Sequence, residues 1–112
     1  MTYAYATEGT SLYQNPLLKN DIISALDWMN IDWYSAAEPY SAHSATNNWY
    51  QWEIGSPLHL TDIMALLYND LTSAQIANYC DAMDHFNPDP GLFMTSVGNS
   101  TAATGANLAW KV

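Results

Sequence analysis

A chain of 112 residues, 49% hydrophobic and 13% aromatic, carries enough apolar side chain for one domain with a core and lacks the polar bias of disordered segments. Eleven acids against two bases, Lys19 and Lys111, give a formal charge of -9, a field that repels phosphate, argues against nucleic acid, and disfavours anionic membranes and any polyanionic ligand unless local donors outweigh the repulsion. Cys80 is the single cysteine, which excludes an intramolecular disulfide and a thiolate zinc cage and leaves it as a small buried hydrophobe.

The opening MTYAYATEGTS has neither the basic start nor the continuous apolar core of a signal peptide. No apolar run reaches the roughly eighteen residues that a membrane span needs. In NPLLKNDIISALDWMN, Asn15 can cap a helix whose first residue is Pro16, and Leu18, Ile22, Leu26 and Met29 recur at helical spacing. The alanine-rich text from Ile31 to Thr46 holds Pro39 and no sustained period, which predicts an irregular connection.

A second helical segment starts in NNWYQWEIGSP, residues 47–57, and LHLTDIMALLYN resumes the period through Leu60, Ile63 and Leu67. Gly55 and Pro57 predict a kink or short break between the two. In LTSAQIANYCDAMDHF, Thr72 and Gln75 form a capping box, and Ile76, Tyr79, Cys80 and Met83 make the apolar stripe. NPDPG, residues 87–91, stops that helix. The small polar residues of LFMTSVGNSTAATGAN read as a loop into a last helix at about Asn107. With no strand signal competing, the expected class is all-α, antiparallel helices joined by long loops.

Catalytic signatures are sparse. His43, His59 and His85 are far apart in sequence, and no HExxH, CxxC, GxSxG or phosphate-loop pattern occurs, so no metal or cofactor site is expected. The turn that follows His85 is a candidate to hold its ring. Asp21, Asp62 and Asp81 read as solvated charge. Glu53 differs, because it sits between Trp52 and Ile54 and a carboxylate buried there requires a donor.

Trp49, Tyr50 and Trp52 set three rings in four positions beside Asn47 and Asn48. Aromatic faces stack on the C–H faces of pyranoses while amides bond their hydroxyl groups, so a sugar platform fits. Helical spacing of Trp49 and Trp52 fits core packing, as does the placing of Trp28 and Trp33, and on composition alone core packing is the favoured reading.

Taken in order, SLYQNPLLKNDIISALDWM, NNWYQWEIGSP, the DHFNPDP turn and TGANL resemble the N-terminal α-helical domain of polysaccharide lyase family 8, the hyaluronate, chondroitin AC and xanthan lyases. The resemblance implies a partial, incomplete α/α toroid of antiparallel helical hairpins, with residues 1–112 as a single N-terminal fragment and the rest of the toroid and the β-sandwich domains lying elsewhere. It implies an acidic polysaccharide as substrate, cleaved by β-elimination: the C5 proton of a uronic acid leaves, the glycosidic oxygen departs from C4, and an unsaturated sugar remains.

In such enzymes a catalytic asparagine closes a Gly-x-Asn segment, which places that role on Asn107 after Gly105 and Ala106. Its carboxamide would bond the substrate carboxylate and let the developing charge spread without adding a charge of its own. Asn48, Trp49 and Tyr50 would line the cleft. Without that context, Asn107 reads as a helix cap after a glycine. The family's proton-transferring histidine and tyrosine fall downstream of the asparagine, beyond this sequence, so the isolated chain is expected to turn over little or nothing. Thr101 and Leu58 replace an aromatic and a basic residue common in relatives, and there is no arginine to build an electropositive cleft. The resemblance also implies an extracellular enzyme. Helices deprived of toroid neighbours would be open to self-association.

Overall fold

The computed structural model describes residues 1–39, 49–96, 99–102 and 105–111. These form helix α1 (Thr2–Ala6), helix α2 (Pro16–Asp32), a π-helical turn (Gln51–Gly55) that runs into helix α3 (Ser56–Leu66), and helix α4 (Ser73–Phe86). Strands β1 (Leu92–Ser96) and β2 (Asn99–Ala102) and helix α5 (Gly105–Lys111) complete the described chain. The fold is mostly helical, as expected.

Local chemistry sets the helix starts. The Asn15 side chain accepts from the backbone N–H of Leu17 and Leu18 at 3.0 and 3.1 Å, and Pro16 follows where its missing N–H is harmless. At α4 the Thr72 hydroxyl accepts from Gln75 N–H at 3.2 Å, while Gln75 Oε1 accepts from Thr72 N–H at 3.0 Å. Gln75 Nε2 also donates to the Asp27 carboxylate at 3.0 Å and the Tyr79 hydroxyl donates to it at 2.6 Å, so the α4 start is tied to α2.

Helix α1 lies against α2 and α3, and α2 against α4, around a core of Tyr5, Ile22, Leu26, Tyr34, Leu60, Leu67, Tyr79 and Phe86. Each such side chain contributes about 1.5–3 kcal/mol through burial. The stripes on α2, α3 and α4 all face this core, with Leu18, Met29, Ile63, Met64, Ile76 and Met83 as partly buried neighbours. Cys80 is only partly buried, and Trp28 faces solvent rather than the core.

The break expected near Gly55 takes another form. Pro57 has no N–H to offer the carbonyl four residues back, and its ring would crowd it. The backbone widens instead: the N–H of Ser56 reaches the carbonyl of Gln51, five residues back, and the chain passes into α3 without interruption.

The all-α expectation is corrected at residues 92–102, read above as loop. Leu92 pairs with Ala102, Phe93 with Thr101 and Met94 with Ser100 in an antiparallel ladder, with an irregularity before Ser96 opposite Asn99. A lone two-stranded hairpin is marginal in water. This one is held by other parts of the chain: the Leu92 carbonyl accepts from Lys111 Nζ at 2.6 Å, and the Phe93 ring meets Trp49 at 4.7 Å. His85 is likewise held differently from expectation, its Nε2 lying 2.7 Å from the Glu38 carbonyl oxygen in the segment after α2.

Candidate functional site

The aromatic segment divides by side. Trp52 and Ile54 turn inward, at 2% and 0% exposure, and Trp52 packs on Phe86, Trp33 and Tyr34 with ring centroids 4.7, 5.0 and 5.7 Å away. Trp49 and Tyr50 turn outward, each 37% exposed. Their rings meet edge to face at 6.0 Å, the arrangement favoured by the aromatic quadrupole.

The same two rings are extended on both sides. Phe93 of β1 lies 4.7 Å from Trp49, and Trp110 of α5 lies 6.3 Å from Tyr50, again edge to face. The result is a strip of four rings, Phe93–Trp49–Tyr50–Trp110, contributed by three segments. Trp110 is half-exposed and borders a cavity of about 220 Å³ shared with Thr61, Asp62 and Asn87. The Asn87 Oδ1 atom is buried without a hydrogen-bond donor among the described residues.

Asn107 is the third residue of α5, within the helix rather than at its cap. Gly105 makes this possible: its φ of +60° is a left-handed conformation that side chains resist, and it turns the chain from β2 into α5. Asn107 is partly buried, and Trp110, three residues on, shares its side of the helix. Of the residues singled out from the sequence, Trp49 and Tyr50 are therefore adjacent, and Tyr50 touches the helix that carries Asn107. Asn48 and His43 lie outside the described residues. His59 is exposed on α3.

Glu53 has its donor. Lys111 Nζ donates to Glu53 Oε2 at 2.6 Å with both side chains at 0% exposure, and the same ammonium stands 4.5 Å above the Phe93 ring. The other lysine is also engaged: Lys19 Nζ donates to Asp70 Oδ1 at 3.1 Å, beside the hydroxyl of Tyr5, which donates to Asp70 Oδ2 at 3.0 Å. That hydrogen bond to Asp70 raises the Lys19 ammonium above its ordinary range. Burial pushes the Tyr34 phenol up, aided by the charge of Glu53; burial and the bond to Asp27 do the same for Tyr79. No group of three or more histidine, cysteine or acidic residues among the described residues is placed to hold a metal ion, and no described helix is long and apolar enough to cross a membrane.

Sequence reasoning named Trp49 and Tyr50 but not Phe93, Trp110 or Lys111. The spacing of Trp110 from Asn107 and of Lys111 from Asn107, three and four residues, was the available signal for the last two.

Comparison with known proteins identifies the family. Residues 1–109 match the model of polysaccharide lyase family 8, N terminal alpha-helical domain. The chain is 41% identical to a xanthan lyase of Bacillus sp. over 99% of its own length and 10% of that relative's, and 31% identical to a hyaluronate lyase of Thermasporomyces composti over 98% and 12%. Among solved structures, a Paenibacillus xanthan lyase superposes with a TM-score of 0.79 at 39% identity, covering 98% of this chain and 9% of that one. A Streptomyces coelicolor chondroitin AC lyase in complex with chondroitin sulphate gives 0.81 at 37% identity, covering 98% and 14%. The chain thus spans about a tenth of the length of the relatives it matches, and on these matches it belongs to polysaccharide lyase family 8, within the N-terminal α-helical domain.

Proposed function

We propose that this segment forms one wall of the polysaccharide cleft of a lyase acting by β-elimination on uronic-acid polymers such as xanthan, hyaluronan or chondroitin. The observation that carries the reading is the ring strip Phe93–Trp49–Tyr50–Trp110, which runs onto the helix bearing Asn107. Trp49 and Tyr50 seat pyranose rings by their C–H faces, and Asn48, which precedes them in sequence, bonds sugar hydroxyl groups. Asn107 donates to the uronate carboxylate, so that negative charge building on C5 is shared when the proton leaves. Both lysines of this segment are held by carboxylates, so within it the carboxamide is the group that takes this task.

The domain reading belongs to the same proposal. The helices described are the opening part of an α/α toroid, and the apolar side chains they leave exposed, Leu17, Trp28 and Ile31 of α2 among them, are covered by neighbouring helices of a longer, extracellular polypeptide. Proton transfer falls to a histidine and a tyrosine outside residues 1–112, so these residues alone bind without turning over.

Two measurements test this. Titration of the chain with hyaluronan and xanthan oligosaccharides is expected to quench Trp fluorescence, with Trp49→Ala weakening binding about tenfold, or ~1.4 kcal/mol. Unchanged affinity would return Trp49 to a packing role. In a chimera where residues 1–111 replace the matching segment of the Bacillus xanthan lyase, Asn107→Ala is expected to lower kcat by about a hundredfold or more, the usual loss for one donor at a developing oxyanion. Full activity there would remove Asn107 from the chemistry.

The apolar side chains that α2 exposes, Leu17, Trp28 and Ile31, favour a second reading for the chain by itself, pairing with another copy. Sedimentation as a monomer at high concentration would discard it.

A further inference from the structure

The Glu53–Lys111 pair is an odd way to hold a small domain together. Taking both charges out of water costs several kcal/mol per ion, and apolar residues of similar volume commonly serve stability as well or better. What the pair supplies that an apolar contact does not is direction. Lys111 Nζ is fixed at three points: Glu53 Oε2 at 2.6 Å, the Leu92 carbonyl at 2.6 Å and the Phe93 ring face at 4.5 Å. One ammonium thereby joins the π-helical turn, the hairpin and α5.

Two of those partners adjoin the aromatic strip. Phe93 is itself a member of it, and Glu53 lies three and four residues after Tyr50 and Trp49 on the same helical stretch. On the other side, Asn107 and Lys111 are four residues apart in α5, a spacing that stacks side chains along one face. A slip of α5 by one residue would swing that face by about 100°. A seven-residue helix has little stability of its own, so its orientation depends on ties to the rest of the chain, this pair and the Trp110–Tyr50 contact.

We propose that the Glu53–Lys111 pair is a positioning element that fixes the angle of α5, and with it the reach of Asn107 toward a sugar seated on Trp49 and Tyr50. This rests on the cleft reading above and adds two residues to it that touch no substrate.

The test uses the isotopically labelled 112-residue chain, titrated with a xanthan-derived oligosaccharide and with a hyaluronan hexasaccharide. Nuclear magnetic resonance follows the Trp49 indole N–H and the Asn107 carboxamide separately. In the wild type both shift over the same ligand range. In Lys111→Met the Trp49 signal is expected to shift with its midpoint changed less than threefold, while the Asn107 shift loses at least half its amplitude. Should that variant fail to fold, Glu53→Leu/Lys111→Met removes both charges and keeps the volume, and the same loss at Asn107 is expected from it. An undiminished Asn107 response in either folded variant would overturn the positioning role, since packing alone would then suffice. A wild type in which Trp49 or Asn107 does not respond refutes the cleft reading itself, and the positioning role with it.

Discussion

Replacing Trp52 and Trp49 in turn by alanine separates the two sides of one helical segment. Trp52 is 2% exposed and has rings on three flanks, Phe86, Trp33 and Tyr34, at 4.7, 5.0 and 5.7 Å. Truncating a buried Trp to Ala costs about 3–5 kcal/mol, the lost transfer energy plus the cavity left behind. That is a large part of the roughly 5–15 kcal/mol that holds a domain together, and at this size it lowers the Tm by about 15–20 °C. Trp49 is more exposed and has, among the described residues, Tyr50 and Phe93 as ring partners, so Trp49→Ala is expected to cost about 1–2 kcal/mol. Urea unfolding followed by far-ultraviolet circular dichroism gives both numbers, provided the slope m is unchanged. Equal losses for the two variants, or a loss under about 1 kcal/mol for Trp52→Ala, would refute the division of the segment into an anchored and a presented side.

Three further outcomes are expected. Gly55→Ala is tolerated: the added Cβ would meet Gln51 Oε1 at 2.8 Å, but that atom ends a flexible side chain, and alanine gains about 0.5–1 kcal/mol in a helix; a Tm drop above a few degrees would show the π-helical turn to be tighter than described. Gly105→Ala is not tolerated, although open space surrounds its Cβ position, because φ is +60°; a loss of about 1 kcal/mol or more and a weaker Asn107 response to sugar are expected, and a neutral result would mean that the turn into α5 is not set there. Stability falls above about pH 10: unfolded tyrosines ionise there while Tyr34 and Tyr79 stay protonated to higher pH, so the stabilisation is complete below pH 10 and is lost as pH climbs through the raised folded values. The Lys19–Asp70 pair adds a decline of the same sign. Urea midpoints from pH 8 to 11.5 measure the fall, and Tyr34→Phe/Tyr79→Phe should flatten most of it; an unaltered slope in that double variant would count against the assignment.

What the sequence made legible was what neighbours within one turn decide. Asn15 with Pro16, and Thr72 with Gln75, determine helix starts by bonds that span two or three residues, and the apolar stripes of α2, α3 and α4 report their buried faces at the same range. Glu53 could be marked as needing a donor, yet the donor is 58 residues away. The hairpin escaped for the same reason, since Leu92 and Phe93 are held by Lys111 and Trp49 rather than by a strong local pattern. Asp27 carried no sequence signal at all for its bonds to Gln75 and Tyr79, 48 and 52 residues on. At the candidate site, Trp49 and Tyr50 were legible as a ring pair and Asn107 through the family resemblance, while the direction each ring faces is set by contacts distant in the chain, Trp49 with Phe93 and Tyr50 with Trp110.

Holding both lysines in carboxylate pairs has a kinetic side. A chain of net charge -9 whose two lysines are both paired with carboxylates offers a uronate polymer encounter without steering. Added salt should then speed association with this segment, as the Debye length shrinks from about 30 Å at 0.01 M to about 8 Å at 0.15 M and the mutual repulsion fades. Polyanion-binding proteins built on basic grooves respond in the opposite sense.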